Sequence, residues 1–137
     1  MAWLAPQNNY HEINVAAQTN DPDSLLSHYR RLIRARNAHE ALRVGDWREV
    51  KVEDKRLYAF LRHCAEETLL VLLNLSGEPI TDYRLNLLKG PLSGGRASEV
   101  FTGAAVSAPT VNVNGGFEGY TPLAELEAYS TYIIHLK

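Results

Sequence analysis

Apolar residues recur at helical spacing in one early segment of the chain. These residues, three or four positions apart, are Leu25, Leu26, Tyr29, Leu32 and Ile33. The spacing places them on one face of an amphipathic helix over 22–39. Asp21 stands where a helix cap is expected, and Pro22 suits the first helical position because its missing N–H needs no partner there. The polar residues before this helix, 1–19, are predicted to form a loop.

From Trp47 onward the apolar pattern is that of short strands separated by Gly, Pro, Asn and Ser. The run 68–75, TLLVLLNL, is apolar throughout and therefore typical of a buried strand. The predicted strands are 50–53, 57–63, 68–75, 83–88, 99–102, 111–113 and 130–136. About seven or eight short strands at this spacing favour a mainly β fold, an antiparallel sandwich or a small barrel.

The change of pattern divides the chain into two predicted parts. Residues 1–42 form a loop and one amphipathic helix, and residues 43–137 form the β domain. The boundary is expected between Leu42 and Asp46, close to Gly45, because glycine commonly ends a helix.

Composition narrows the class of protein. The 137 residues are 45% hydrophobic and 22% charged, which is typical of a globular domain. The net charge of −2 argues against binding nucleic acid through bulk charge. Cys64 is the single cysteine, so no intrachain disulfide or cysteine-based zinc site can form. No apolar run reaches the ~18 residues of a membrane span, and the N-terminus lacks signal-peptide features. These features predict a cytoplasmic protein without a membrane partner.

The second half of the predicted helix is strongly basic. Its arginines are Arg30, Arg31, Arg34 and Arg36. Clustered guanidinium groups can bind phosphate or another anion. They can equally complement the negative end of the helix dipole while remaining solvated. The second interpretation is favoured because no glycine-rich phosphate loop accompanies the arginines.

The sequence predicts no catalytic residue, no metal site and no cofactor. The five histidines are scattered, and no pair has the spacing of a helical zinc site. His63 and Cys64 are neighbours on a strand, so they point to opposite faces. Acidic pairs such as Glu66-Glu67 fall at predicted turns, where nothing places them across a cleft as a glycosidase requires.

Aromatic residues offer one weaker possibility, a surface on which a sugar ring stacks. The candidates are Trp3, Trp47, Phe117, Tyr120, Tyr129 and Tyr132. Most aromatics at strand spacing are core residues, and only exposed rings can stack on a sugar. Trp47 is the candidate we single out.

A long ordered run near the N-terminus resembles glycoside hydrolase family 13, most closely its α-glucosidase and oligo-α-1,6-glucosidase branch. The matching residues are Trp3-Leu4 with Asn8, Asn14-Val15 with Gln18, Asp21-Pro22 with Ser24-Leu25-Leu26, Tyr29-Arg30 with Leu32-Ile33 and Arg36, and Ala41-Leu42 with Gly45. Downstream, LLVLLNLS and TPLAELEAYSTYIIHLK resemble the family's C-terminal β domain, a Greek-key sandwich.

The resemblance implies that the helix is the last one of a (β/α)8 barrel, which itself needs roughly 250 residues. The barrel is therefore expected to be missing, with this sequence the C-terminal part of a longer retaining enzyme. The family's catalytic carboxylates match no position here. The implied role is stabilisation of the barrel, and the helical apolar face should dock on it or on a second copy. The alternative is an independent carbohydrate-binding or protein-interaction module.

Overall fold

The computed structural model of the chain describes residues 4–137, which divide into two units. The first unit, Met1–Ala35, contains helix α1 (Val15–Thr19) and most of helix α2 (Leu25–Ala38). The second unit, Arg36–Lys137, begins with the end of α2, followed by helix α3 (Glu40–Val44) and the β-strands. The predicted division of the chain after residue 42 stays a prediction.

Seven strands build the second unit, and all their pairings are antiparallel. The strands are β1 (Asp46–Glu49), β2 (Leu57–Cys64), β3 (Glu67–Asn74), β4 (Leu85–Leu87), β5 (Ala97–Glu99), β6 (Phe117–Tyr120) and β7 (Thr131–Leu136). Five of them form one sheet in the order β1-β2-β3-β7-β5, and β4 pairs with β6 in a second sheet. The mainly β, antiparallel sandwich predicted from the sequence is confirmed.

The apolar run that predicted a buried strand forms β3, the central strand of the larger sheet. Leu70 and Leu72 point into the hydrophobic core, while Leu69 and Val71 point to the other face and are buried too. A strand covered on both faces needs apolar residues at consecutive positions, which explains why alternation is absent here. The core also takes alternate residues of β2, namely Leu57, Ala59 and Leu61.

Several predicted strand positions are wrong, and each has a local cause. The predicted strand 50–53 lies instead at β1, because the chain leaves the first sheet at Val50 and Lys51 pairs with Asn86 of the second. The run 111–113 supplies only a bridge between Val111 and Phe117. Of the run 99–102, only the first residue belongs to a strand.

Three elements were not predicted, and one of them is helix α3, which lies beyond the predicted end of the helix at residue 39. Residues 1–19 were expected to form a loop, yet they contain the short helix α1. The sequence predicts no strand between 113 and 130, where the run NGGFEG at 114–119 indicates a turn, yet Phe117–Tyr120 form β6 and pair with β4. Among residues 4–137, no helix is both long enough and apolar enough to cross a membrane.

Candidate functional site

Helix α2 begins at Leu25, three residues later than the predicted start, because Ser24 rather than Asp21 caps it. The Ser24 hydroxyl accepts the N–H of Ser27 at 3.2 Å, and the Ser24 carbonyl accepts the N–H of His28 at 2.9 Å. The Asp21 side chain instead accepts the N–H of Asp23 at 2.9 Å, in a turn before the helix. The predicted Asp21 cap is therefore wrong, although both residue types are good caps.

The polar residues that precede α2 hold the ends of helices. Asn14 caps α1, because its side-chain oxygen accepts the N–H of Ala17 at 2.9 Å. Gln18 reaches forward from α1, and its side-chain oxygen accepts the N–H of Leu26 at 3.0 Å. The first N–H groups of a helix have no partner inside it, so these contacts satisfy donors that would otherwise need water. Asn14 and Gln18 thus each accept a hydrogen bond from the first turn of a helix, Asn14 at α1 and Gln18 at α2.

The apolar face predicted from the sequence forms a continuous stripe along α2. We call this surface the α2 stripe; its residues are Leu25, Leu26, Tyr29, Leu32 and Ile33. Leu25, Tyr29 and Ile33 are exposed, Leu26 and Leu32 are half-buried, and no residue of α2 is fully buried. Docking or self-association through the stripe stays a prediction.

The basic half of α2 contributes one defined contact. Arg31 donates to the carbonyl of Pro22 at 2.7 Å and so ties the helix to the turn before it. Arg36 lies in the last turn, where the helix dipole favours a cation. Arg30 and Arg34 are exposed to solvent. These positions agree with a structural role for part of the cluster.

In the second unit, one carboxylate joins α3 to the sheet. Glu67, the first residue of β3, accepts the N–H of Ala41 at 3.0 Å and lies 2.6 Å from Nδ1 of His39. Arg62 donates to the carbonyl of Ala41 at 3.1 Å. Burial raises the pKa of Glu67, but the bonds from His39 and Ala41 outweigh it and bring the pKa below its usual value.

Two further carboxylates are held in ionised form. Burial raises the pKa of Glu99, yet bonds from the N–H of Ile133 and from the residues of the following turn lower it overall. The bond from Arg56 lowers the pKa of Asp54. A general acid needs a raised pKa instead, as in glycosidase sites. These carboxylates therefore lack the electrostatics of a proton donor at neutral pH.

The aromatic candidates separate into core and surface residues. Phe117, Tyr120 and Tyr132 are buried. The rings of Phe117 and Tyr120 meet edge to face with centroids 5.2 Å apart. Tyr129 and Trp47 are exposed; Trp47 lies on β1 opposite Arg62 of β2 and keeps 53% of its surface accessible. Sugar stacking on Trp47 stays a prediction, and Trp3 lies outside the described residues.

The histidines are dispersed among structural contacts. The Nδ1 atom of His63 lies 2.9 Å from the hydroxyl of Thr68, on the neighbouring strand. His135 lies on β7, and burial is the main cause that lowers its pKa, with further lowering by Lys137. In the described part of the chain, no three His, Cys, Asp or Glu side chains come together in a way that could hold a metal ion.

Comparison with known proteins finds a family match at the start of the chain. A sequence model of the α-amylase family, described as "Alpha amylase, catalytic domain", matches residues 1–45. The trehalose-6-phosphate hydrolase of Bacillus subtilis (strain 168) is 35% identical over 75 residues, which are 55% of this chain and 13% of that protein. The oligo-1,6-glucosidase of Halalkalibacterium halodurans is 38% identical over 81 residues, 59% of this chain and 14% of that protein.

The fold agrees with the sequence matches. The crystal structure of Bacillus licheniformis trehalose-6-phosphate hydrolase superposes on 97% of this chain with a TM-score of 0.61 at 26% identity. Over part of its length the chain is therefore similar to enzymes of the α-amylase family, glycoside hydrolase family 13. It spans 13–14% of the length of these curated family relatives in sequence and 22% of the solved family structure.

The match to the family model covers the α2 stripe. The stripe falls inside the segment that matches the catalytic-domain model of the family, whereas β1–β7 lie beyond residue 45. The capping residues Asn14, Gln18 and Ser24 fall in the same segment. Sequence reasoning had found these three as family motif residues but had not identified their capping roles.

Proposed function

We propose that this chain is the non-catalytic C-terminal portion of an α-amylase family enzyme and that it stabilises that enzyme's catalytic barrel. The observation that carries the proposal is the exposed α2 stripe, located within the segment matched by the catalytic-domain model. A helix of a folded domain normally covers its apolar face, so an exposed stripe indicates a surface built for a partner. The partner proposed is the (β/α)8 barrel.

The chemistry of the described residues supports a structural role. The carboxylates Glu67, Glu99 and Asp54 each accept defined hydrogen bonds and have lowered pKa values. The polar residues of the first unit cap helices. In a retaining glycosidase, a nucleophilic carboxylate and an acid/base carboxylate lie about 5–5.5 Å apart. We propose that the barrel of the parent enzyme supplies both and hydrolyses α-glucosidic bonds.

The test is a chimera in which this chain replaces the matching C-terminal portion of Bacillus subtilis trehalose-6-phosphate hydrolase. We expect a soluble chimera that retains hydrolysis, and this chain alone should not hydrolyse a chromogenic α-glucoside. Replacing Leu25, Tyr29 and Ile33 by Glu should lower the melting temperature, since burying each apolar side chain is worth about 1.5–3 kcal/mol. The matched control replaces Arg34 by Gln, on the opposite side of α2. Equal melting temperatures for the stripe variant and the unaltered chimera would refute barrel docking.

For the isolated chain, we propose that a second copy covers the same stripe. A two-fold pair of helices brings each stripe onto its own equivalent, which is the usual geometry of a homodimer. The stripe offers five apolar residues over about two turns of helix, enough for a small helix–helix contact.

We also propose a cytoplasmic location. The single thiol, Cys64, is half-buried and unpaired with any other cysteine, which suits a reducing compartment. Fractionation of the native host with an antibody against this chain tests the proposal, and recovery outside the cytoplasm would contradict it.

A further inference from the structure

The hairpin loop at residues 112–116 contains a chemically reactive dipeptide. Asn114 is exposed and is followed by Gly115, and no other asparagine of the chain precedes a glycine. The backbone nitrogen of the residue after an asparagine can attack the carbon of the side-chain amide. Glycine obstructs this attack least, because it has no Cβ atom and its backbone turns freely. We call residues 112–116 the Asn-Gly turn.

Backbone hydrogen bonds hold both residues of the dipeptide. The N–H of Gly115 donates to the carbonyl of Asn112 at 3.0 Å and closes a β-turn. Gly115 itself has a φ of 73°, which is typical of a three-residue hairpin loop. The carbonyls of Asn114 and Gly115 accept the N–H groups of Gly90 and Leu92 at 3.1 and 3.0 Å. The peptide group between the two residues is therefore fixed from both sides.

The side chain of Asn112 organises the turn. Its oxygen accepts the N–H groups of Asn114 and Gly116 at 2.9 and 3.0 Å, and its amide nitrogen donates to the carbonyl of Leu88 at 3.3 Å. The backbone N–H of Asn112 donates to the carbonyl of Gly116 at 2.8 Å. Substitution of Asn112 thus removes the side-chain bonds of the turn and leaves the reactive dipeptide unchanged.

The fold requires glycine at position 115. A Cβ atom there would collide with the carbonyl oxygen of Gly90, and the positive φ would be strained for a residue with a side chain. The reactive sequence is thus a consequence of the close approach between residues 90–92 and the Asn-Gly turn. Any residue that slowed the attack on Asn114 by its bulk would not fit the turn.

We propose that Asn114 is a modification site that deamidates and isomerises when the Asn-Gly turn opens, and that the isoaspartyl product prevents the turn from closing again. The Gly115 nitrogen loses its proton and bonds to Cγ of Asn114, and ammonia leaves to give a cyclic succinimide. Water then opens the ring at one of its two carbonyls and yields aspartate or isoaspartate. In the closed turn the attacking N–H is bonded to Asn112, so the attack requires local opening.

The two products differ in whether the turn can close again. Aspartate leaves the backbone unchanged at an exposed position, so the bonds of the turn can re-form. Isoaspartate continues the chain through the former side chain and adds one methylene group between the N–H groups of residues 114 and 115. Both N–H groups are bonded to Asn112, one to its side chain and one to its carbonyl. The isomerised turn therefore cannot keep both bonds in their present geometry.

The experiment incubates the folded full chain at mildly alkaline pH and follows residue 114 by peptide mapping, which separates the asparagine, aspartate and isoaspartate peptides. Asn112→Ala removes the side-chain bonds of the turn and should accelerate modification of Asn114 about fivefold or more. The matched control is Ser130→Ala, which removes a side-chain bond of 2.6 Å to the carbonyl of Glu127 in another turn. It should leave the rate at Asn114 unchanged.

A second comparison needs no variant that loosens the turn. The unaltered chain unfolded in guanidinium chloride should be modified at Asn114 about tenfold or more faster than the folded chain, because the turn is then fully open. Purified chain with isoaspartate at position 114 should also melt at a lower temperature than Asn114→Asp. That variant has the same charge and an ordinary backbone, so it isolates the effect of the added methylene group.

Each of three results would overturn the proposal. One is an equal rate of modification at Asn114 in the folded and the unfolded chain. Another is an equal rate in folded Asn112→Ala and folded Ser130→Ala. The third is equal melting temperatures for the isoaspartate form and Asn114→Asp. If Asn112→Ala does not fold, the first and third comparisons still decide.

Discussion

The Glu67 carboxylate accepts the backbone N–H of Ala41 at 3.0 Å, so a strand residue caps the helix packed beside it. His39 occupies the cap position of α3 but makes no side-chain capping bond there. Glu67 supplies the missing acceptor from β3, and its negative charge suits the positive end of the helix dipole. Ala41 is completely buried, so water cannot accept a hydrogen bond from its N–H in place of Glu67. The first turn of α3 therefore depends on the sheet.

Replacing Glu67 by Ala should lower the free energy of unfolding by about 2 kcal/mol, because the buried Ala41 N–H loses its acceptor. Urea denaturation followed by circular dichroism measures the loss. Glu66→Ala is the matched control, since Glu66 is the adjacent carboxylate and is exposed at the hairpin turn. It should change stability by less than about 0.5 kcal/mol. Equal effects of the two substitutions would contradict the capping role.

The contribution of Glu67 to stability should be lost in acid. The pKa of Glu67 is lower in the folded chain than its ordinary value of 4.5, so the unfolded chain binds the proton more readily. The contribution is thus fully present above about pH 4.5 and is lost as the pH falls through the folded pKa. The stability difference between the unaltered chain and Glu67→Gln should shrink as the pH is lowered below this value. A difference that stays constant with pH would show that the charge is irrelevant.

His135 faces this carboxylate from β7, and its pKa is also lowered, chiefly by burial. Its stabilising contribution is present above its ordinary pKa of 6.5 and is lost as the pH falls from there. The loss from His135 therefore begins at a higher pH than the loss from Glu67, whose ordinary pKa is 4.5.

A negative charge at the buried position of Asn74 should destabilise the folded chain strongly. Its amide NH2 group donates to the carbonyls of Glu78, Leu126 and Glu127 at 2.8, 3.3 and 2.9 Å, and its oxygen accepts the N–H of Ser76 at 3.0 Å. Asn74→Asp would point a buried carboxylate at three carbonyl oxygens. We expect a loss of about 3 kcal/mol or more, measured by thermal unfolding at neutral pH.

The control for this prediction is Asn114→Asp, in an exposed turn. It should shift stability by less than about 0.5 kcal/mol. A comparable effect of the two substitutions would show that the network around Asn74 contributes little.

How far the sequence predicted the fold depends on how local each signal is. The run 68–75 predicted β3 correctly, because a strand buried on both faces needs apolar residues at consecutive positions and the sequence shows them directly. Strand β6 was missed because its flanking glycines indicate a turn, and Gly119 indeed has a φ of 63°. What makes 117–120 a strand is its pairing with β4, thirty residues earlier in the chain. That pairing has no local signature.

The same distinction holds for the candidate sites. Helical periodicity predicted the members of the α2 stripe, because they lie within nine residues of one another. The cap of α2 was placed wrongly because Asp21 and Ser24 are equally suitable by type, and Gln18, six residues before Ser24, helps to fix the start of the helix. Lys51 exchanges backbone bonds with Asn86 of the second sheet, and no pattern along the chain predicts that pairing.

Alanine substitutions at Gly116 and Gly103 test two different requirements for glycine, the lack of space for a Cβ atom and a positive φ. A Cβ atom on Gly116 would collide with the carbonyl of Leu87 in β4, a backbone atom that cannot move aside. Gly116→Ala should therefore disrupt the second sheet and leave little folded protein. Gly103 has a φ of 79° with open space around it, so Gly103→Ala should cost only about 1–2 kcal/mol of strain. Thermal melts of both variants test this, and the reverse order of stabilities would contradict the steric argument.

Self-association of the isolated chain should depend on Tyr29, at the centre of the α2 stripe. Burial of an exposed aromatic side chain against a second copy is favourable by about 1.5–3 kcal/mol, whereas a carboxylate placed there would be desolvated. Tyr29→Glu should therefore shift the sedimentation profile from dimer to monomer at the same concentration. Arg34→Gln changes the net charge by the same amount on the opposite side of α2 and should remain dimeric. A chain that is monomeric without any substitution, even when concentrated, would contradict pairing through the stripe.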